Sequence, residues 1–213
     1  MMSKSQGHGN DFEARIKSSG GISSRVAATR VVPSFDILGK DDTEHGYPTS
    51  IKSTGSARID LADARRFWNS FDYAPYRIIV GKYDQKGTIK KFVKIHEFII
   101  QEDHRRVFCG SVNYDEIRSF HEDISLSKFP EGQHEEARER AQELKSSLED
   151  RLGLVMLNRK IDSKRQRRLQ CSVNLPEMID ELKESYVLHT GSFGSLKLPF
   201  PIPSGKRQRN KTE

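Results

Sequence analysis

Apolar residues fall in short runs separated by polar, Gly- and Ser-bearing stretches, and their spacing switches between helical and strand periods. Residues Met1 to Asn10 are polar and predict a mobile N-terminus. With Asn10 or Asp11 as cap, Phe12 and Ile16 fall on one side of a short helix that stops at Ser18-Ser19-Gly20-Gly21. Ile22 to Val32 is β-branched and small and predicts a strand or two; Pro33 to Leu38 continues extended. Gly39 to Gly46 reads as a polar hairpin-like loop and Tyr47 to Ser53 as a further strand. Asp60-Leu61-Ala62-Asp63 predicts a helix start, because an acidic cap and a second acid in the first turn satisfy free N–H groups and the helix dipole. Leu61, Ala64, Trp68 and Phe71 then recur at helical spacing. Tyr76 to Tyr83 has the continuous apolar centre of a strand buried on both faces.

In the second half, Thr88 to Ile100 and Arg106 to Val112 predict two strands joined by the polar turn Gln101 to Arg105. Asn113 or Asp115 starts a helix through His121, and Pro130 to Arg151 predicts a long helix with Ala137, Ala141, Leu144 and Leu148 on a narrow stripe. Leu169 to Leu175 reads as a strand, and Pro176 opens a last helix to Ser185. From Thr190 the chain is rich in Gly, Pro, Lys and Arg. Through Tyr83 this order predicts an α/β fold, a mixed central β-sheet flanked by helices, with an α+β C-terminal extension.

Composition narrows the setting. At 213 residues the chain is long enough for a core that needs no disulfide or metal. Cys109 and Cys171 stand far apart without CxxC spacing and suit a reducing compartment as small buried hydrophobes. No run approaches the roughly 20 apolar residues of a membrane span, and MMSKSQGHGN has no apolar signal core, so a soluble cytoplasmic protein is expected, with no membrane partner. The formal charge of +6 is modest, but its distribution is uneven. Arg159 to Arg168 hold six Lys/Arg against one Asp, and GKRQRNK near the end adds four more. Such clusters neutralise phosphates and release counterions. Within the run, Lys160, Lys164, Arg165 and Arg168 are candidate DNA contacts, and Gln166 and Arg167 are of the types that read adenine and guanine edges. Ser53, Thr54 and Arg58, in a stretch of small residues, suit the DNA backbone.

Candidate chemistry gathers between Pro33 and Trp68, where Asp36 follows one apolar run, Lys52 ends another, and a helix opens on further acids. In a strand, Ser50 and Lys52 point to the same side and Ile51 to the other. Asp41, Asp42 and Glu44 are alternative metal ligands or a solvated turn. His96-Glu97 and His121-Glu122-Asp123 lack HExxH spacing and have no cysteine support for zinc.

Pro33-Ser34-Phe35-Asp36, Ser50-Ile51-Lys52, Glu13 on the preceding helix and the helix-strand order through Tyr83 together resemble the PD-(D/E)XK nuclease superfamily, the fold of many type II restriction endonucleases. The resemblance covers roughly the first 85 residues and implies an αβββαβ core. It implies a Mg²⁺ site in which Asp36 supplies a carboxylate, Lys52 acts beside the metal, and Glu13 adds a further acid. One departure is plain: the residue two before the lysine is usually Glu or Asp, and here it is Ser50. In a subgroup with SxK, an acid from the following helix holds the metal instead. Asp60 is read here as the helix cap, and Asp63 as either that acid or a first-turn dipole partner. The expected organisation is a flexible 1–10, a nuclease-like domain over 11–190 with its catalytic core at about 11–85 and DNA-binding and dimerisation elements at about 86–190, and a basic tail over 191–213. The implied function is a Mg²⁺-dependent, sequence-specific double-stranded DNA endonuclease acting as a homodimer. The alternatives are a DNA-binding protein without catalysis, or a non-specific or repair nuclease of the same fold.

Overall fold

The structure is a computed structural model that describes residues 7–19, 35–36 and 46–203. The strands expected over 22–32, the polar loop with Asp41, Asp42 and Glu44, and the basic residues after 203 lie outside the described residues. In chain order the elements begin α1 (Gly7–Ser19), β1 (Thr49–Thr54), β2 (Arg58–Asp63), α2 (Ala64–Ser70), β3 (Tyr76–Lys86) and β4 (Ile89–Ile100). They continue α3 (His104–Cys109), α4 (Tyr114–Asp123), α5 (His134–Glu149), β5 (Met156–Ile161), β6 (Arg167–Asn174) and α6 (Leu175–Glu181), then β7 (Tyr186–His189), β8 (Ser192–Phe193), β9 (Leu196–Lys197) and β10 (Phe200–Pro203). The fold is α/β, with a mixed β-sheet flanked by helices. Among the described residues no helix is long and apolar enough to cross a membrane.

The chain forms two compact units. The first draws on Met1–Ser56, Arg77–Ile99 and Ser185–Glu213. Its five-stranded sheet has the order β1-β3-β4-β10, with β7 also on β4. β1 runs parallel to β3, Thr49 opposite Arg77 through Thr54 opposite Lys82, whereas β7 and β10 are antiparallel to β4. β1 therefore has one edge without a strand partner among the described residues. α1 lies over this sheet because Phe12 and Ile16, four residues apart, share a helix face and are fully buried. The two join Ile51, Ile79, Phe92, Ile95, Phe200 and Ile202 in one cluster, in which the Phe12 and Phe92 rings stack at 4.4 Å. Residues 192–203, read from sequence as tail, carry β8, β9 and β10 and bury Phe193, Leu198, Phe200 and Ile202. The stretch holds one Gly and three Pro among its twelve residues, but alternating apolar positions in Phe200–Pro203 are enough to add a strand at the sheet edge.

The second unit comprises Ala57–Tyr76 and Ile100–Glu184. It holds an antiparallel sheet of order β2-β6-β5, against which α2, α4, α5 and α6 pack. Two sequence expectations fail here. Arg58–Asp63 is a strand, so the helix starts at Ala64 and its cap is Asp63, not Asp60. Ile59 and Leu61 alternate inward with period two, and pairing with β6 takes the backbone groups that a helix would use. Asp60 instead accepts Ala62 N–H at 2.8 Å, at a bulge where Ala62 has φ 76°. Leu61, Ala64, Trp68 and Phe71 are nevertheless all buried, and Trp68 Nε1 donates to Val112 O at 2.9 Å. Arg106 to Val112 is not a strand: His104–Cys109 is a helix ended by Gly110 at φ 62°, a conformation β-branched or bulky residues avoid. Asn113 caps α4 by a complete capping box with Glu116.

Gly81 on β3 is held by its lack of a side chain, since a Cβ there would run into the Phe12 and Phe92 rings. Gly81→Ala is expected to lower stability by about 1–3 kcal/mol in urea unfolding through overpacking. An unchanged midpoint would show that the rings are free to move aside.

Candidate active site

β1 builds the site by alternation. Ile51 is buried in the α1 core, so Ser50 and Lys52 stand on the opposite side. Asp36 lies along the free edge of β1 and is tied to it twice. Its N–H donates to Thr49 O at 2.9 Å, and its Oδ2 accepts Ile51 N–H at 2.6 Å. Lys52 Nζ lies 3.9 Å from the same Oδ2, with the two side chains 21% and 30% exposed. A pair this exposed contributes about 0–1 kcal/mol, so the fold does not depend on it. Oδ1 of Asp36 and the Ser50 hydroxyl have no hydrogen-bond partner among the described residues. Asp36, Lys52 and Ser50 are thus brought to one edge strand. There the carboxylate and hydroxyl oxygens can hold a divalent cation, and the ammonium can meet a phosphate beside it.

The other acids are differently engaged. Glu13 forms an ion pair with Lys17, one turn along α1. Asp63 belongs to the second unit, where its carboxylate accepts Arg66 N–H at 3.3 Å as the α2 cap and lies 3.8 Å from Arg65 Nε. Among the described residues no three His, Cys, Asp or Glu side chains converge as a metal-holding group. His96 and Glu97, as strand neighbours, point to opposite faces of β4. His121 sits on α4, where burial lowers its pKa, while Asp123 is held by Arg140 at 3.1 Å.

Of the candidate DNA contacts, Thr54 closes a turn, its Oγ1 accepting Ser56 N–H at 3.1 Å; Ser53 is half-buried and Arg58 is exposed at the start of β2. Lys160, Lys164, Arg165 and Arg168 are exposed on the β5–β6 hairpin, and Gln166 is half-buried in its turn. Arg167 is only 6% exposed, and its guanidinium donates to the carbonyls of Asp162, Gln166 and Pro130.

Sequence reasoning misses a buried charge network behind β1. Arg77, at 0% exposure, donates from Nε to Thr49 Oγ1 at 3.1 Å and from Nη1 to Glu97 Oε1 at 3.3 Å. His189 Nε2 donates to Glu97 Oε2 at 2.9 Å. This fixes Thr49, the residue whose carbonyl receives Asp36 N–H. The available signal is a lone Arg at the head of an apolar strand and a lone Glu inside KIHEFII, since buried charges require partners.

Glu97→Ala removes the buried carboxylate that Arg77 and His189 both reach and is expected to cost about 3–5 kcal/mol, read by urea unfolding; a loss under ~1 kcal/mol contradicts this role. His96 is hydrogen-bonded to the Tyr186 hydroxyl at 2.9 Å, and burial, with Lys94 and Lys82 adding, pushes its pKa from 6.5 to about 4. Between those values the unfolded chain takes up a proton that the folded chain does not, so stability falls as pH drops through the window. A His96→Gln variant is expected to lack that part of the fall, measured as the Tm difference from wild type between about pH 6.5 and pH 4; parallel curves contradict it.

No protein-family model, no curated protein and no solved structure matches this chain.

Proposed function

We propose that the chain is a Mg²⁺-dependent, sequence-specific double-stranded DNA endonuclease, similar to type II restriction enzymes of the PD-(D/E)XK kind. The observation that carries the reading is the meeting of Asp36 and Lys52 at 3.9 Å on the edge of β1, with Ser50 on the same side. A carboxylate and an ammonium whose ion pair adds little to stability share a strand edge, and one carboxylate oxygen has no partner among the described residues, the combination that phosphodiester hydrolysis uses. Asp36 fits a hard cation, because Oδ2 is steadied by Ile51 N–H while Oδ1 has no partner among the described residues. Bound magnesium would supply charge neutralisation at the phosphate and a lowered pKa for the attacking water.

In this reading, Lys52 orients the attacking water or offsets charge building on the phosphate. Ser50 occupies the place of the second motif acid and contributes a neutral oxygen. Glu13 is given no step in this reading, because α1 packs on the Ile51 face of β1, opposite Ser50 and Lys52, and Lys17 already balances its carboxylate. A homodimer would present two such sites to the two strands of a palindrome.

The test is plasmid cleavage in Mg²⁺ by wild type, Asp36→Ala and Lys52→Ala, with duplex binding measured separately in Ca²⁺. Each variant is expected to cut about 10²–10³-fold more slowly while keeping its circular dichroism and its duplex binding. Cutting by Lys52→Ala at the wild-type rate would sink the assignment. Tight binding by a wild type that never cuts would identify a non-catalytic DNA-binding protein instead.

A further inference from the structure

The basic run over Arg159 to Arg168 is divided by the strand period into two sets with different surroundings. β5 and β6 pair antiparallel, from Met156 opposite Ser172 to Ile161 opposite Arg167. Leu157, Ile161, Leu169, Cys171 and Val173 are buried on one face, and register places Arg159 and Arg167 on that same face. Both are used there as struts. Arg159 Nη1 donates to Arg138 O on α5 at 2.9 Å, and Arg167 Nη1 and Nη2 reach Asp162 O at 2.6 Å and Pro130 O at 3.2 Å. Arg138 in turn donates from Nη2 to Ile161 O at 3.0 Å.

Lys160 and Arg168 lie on the opposite face, directly across from each other. Like charges in this position destabilise a sheet. Neither side chain has a carboxylate partner among the described residues; Lys164, in the connecting turn, forms no ion pair there but shares the field of Asp162. Elsewhere in this unit most helix cations are paired: Arg140 with Asp123 and Glu143, Arg118 with Asp115, and Lys145 with Glu149, as is Arg151 just after α5, with Glu116; Arg106 on α3 has no ion pair among the described residues. Arg165, 80% exposed, is also balanced, by Glu131 at 2.8 Å. The turn is rigid, because Asp162 Oδ1 accepts the N–H groups of both Lys164 at 3.0 Å and Gln166 at 2.9 Å. Lys160, Lys164 and Arg168 thus carry no ion pair at the end of the β5–β6 hairpin that runs past the last β2 pair at Gln170, and a braced two-stranded end is a shape that a DNA groove admits.

We infer that Lys160, Lys164 and Arg168, on the outer face of the β5–β6 hairpin, grip the phosphate backbone of double-stranded DNA, whereas Arg159 and Arg167 of the same run brace the hairpin and touch no phosphate. This rests on the DNA reading of the proposed function and names the surface that would bring DNA to the chain. A polyanion relieves the repulsion between Lys160 and Arg168, and the braced turn loses little freedom on binding.

The test is fluorescence anisotropy of a short mixed-sequence duplex, without divalent metal, across salt from about 50 to 200 mM. Against wild type, the triple variant Lys160→Ala/Lys164→Ala/Arg168→Ala is expected to lower the magnitude of the slope of log affinity against log salt by about 2–3, at about 0.9 per phosphate contact. Arg159→Ala is expected to keep the wild-type slope, and Arg167→Ala to lower Tm without changing it. An unchanged slope in the triple variant, a wild type that does not bind the duplex, or a wild type that binds RNA in its place overturns the inference. Cleavage in Mg²⁺ separates the two readings. A hairpin-dependent slope without any cutting keeps this surface and removes the nuclease, whereas cutting with wild-type rate and slope by the triple variant does the reverse.

Discussion

The burial of one side chain, Ile51, fixes the geometry around it. Its place in the core beneath α1 sets the phase of β1, and because strand side chains alternate, Ser50 and Lys52 can only stand on the other face. A one-residue slip would drive Lys52 into an apolar cluster and turn Ile51 outward, so the register is enforced by hydrophobic burial. The same residue holds the second half of the site, since its N–H donates to the Asp36 carboxylate. Behind it, Arg77 and Glu97 fix Thr49 from the neighbouring strands, and Thr49 O receives Asp36 N–H. Asp36 is thus positioned by backbone groups whose own places are set by packing and buried charge.

Much of this is readable from residue order, where one period dominates. Phe12 and Ile16 mark α1, the apolar centre of Tyr76 to Tyr83 marks β3, and Asn113 with Glu116 marks the start of α4, because each signal is local and matches the structure that forms. The reading fails where a distant partner decides. Asp60 to Asp63 carries good helix-start chemistry, yet Ile59 and Leu61 alternate and β6 is there to pair with them. Arg106 to Val112 has a β-like composition, but Gly110 ends a helix instead. Phe200 and Ile202 look like tail residues until β4 offers an edge. The Arg77–Glu97–His189 network joins three strands and has no local spacing to betray it.

Candidate site residues follow the same division. Ser50, Ile51 and Lys52 are adjacent, so their alternation is visible in the chain, whereas the edge contact that ties Asp36 to β1 joins residues fifteen apart and is not. Asp63 is ambiguous in sequence because a cap and a ligand ask for the same residue type; its carboxylate is engaged by Arg66 N–H. In the basic run, composition treats Arg159, Arg167, Lys160 and Arg168 alike. Only the pairing of β5 with β6 separates the two that serve carbonyl groups from the two left facing each other.

The central claim, that the Asp36–Lys52 edge hydrolyses DNA at defined sequences, is met most directly by incubating the protein with phage DNA in Mg²⁺ and sequencing the fragment ends. Discrete fragments are expected, with ends that fall at one recurring, two-fold symmetric sequence. Uncut DNA, or ends scattered without a common sequence, would contradict it.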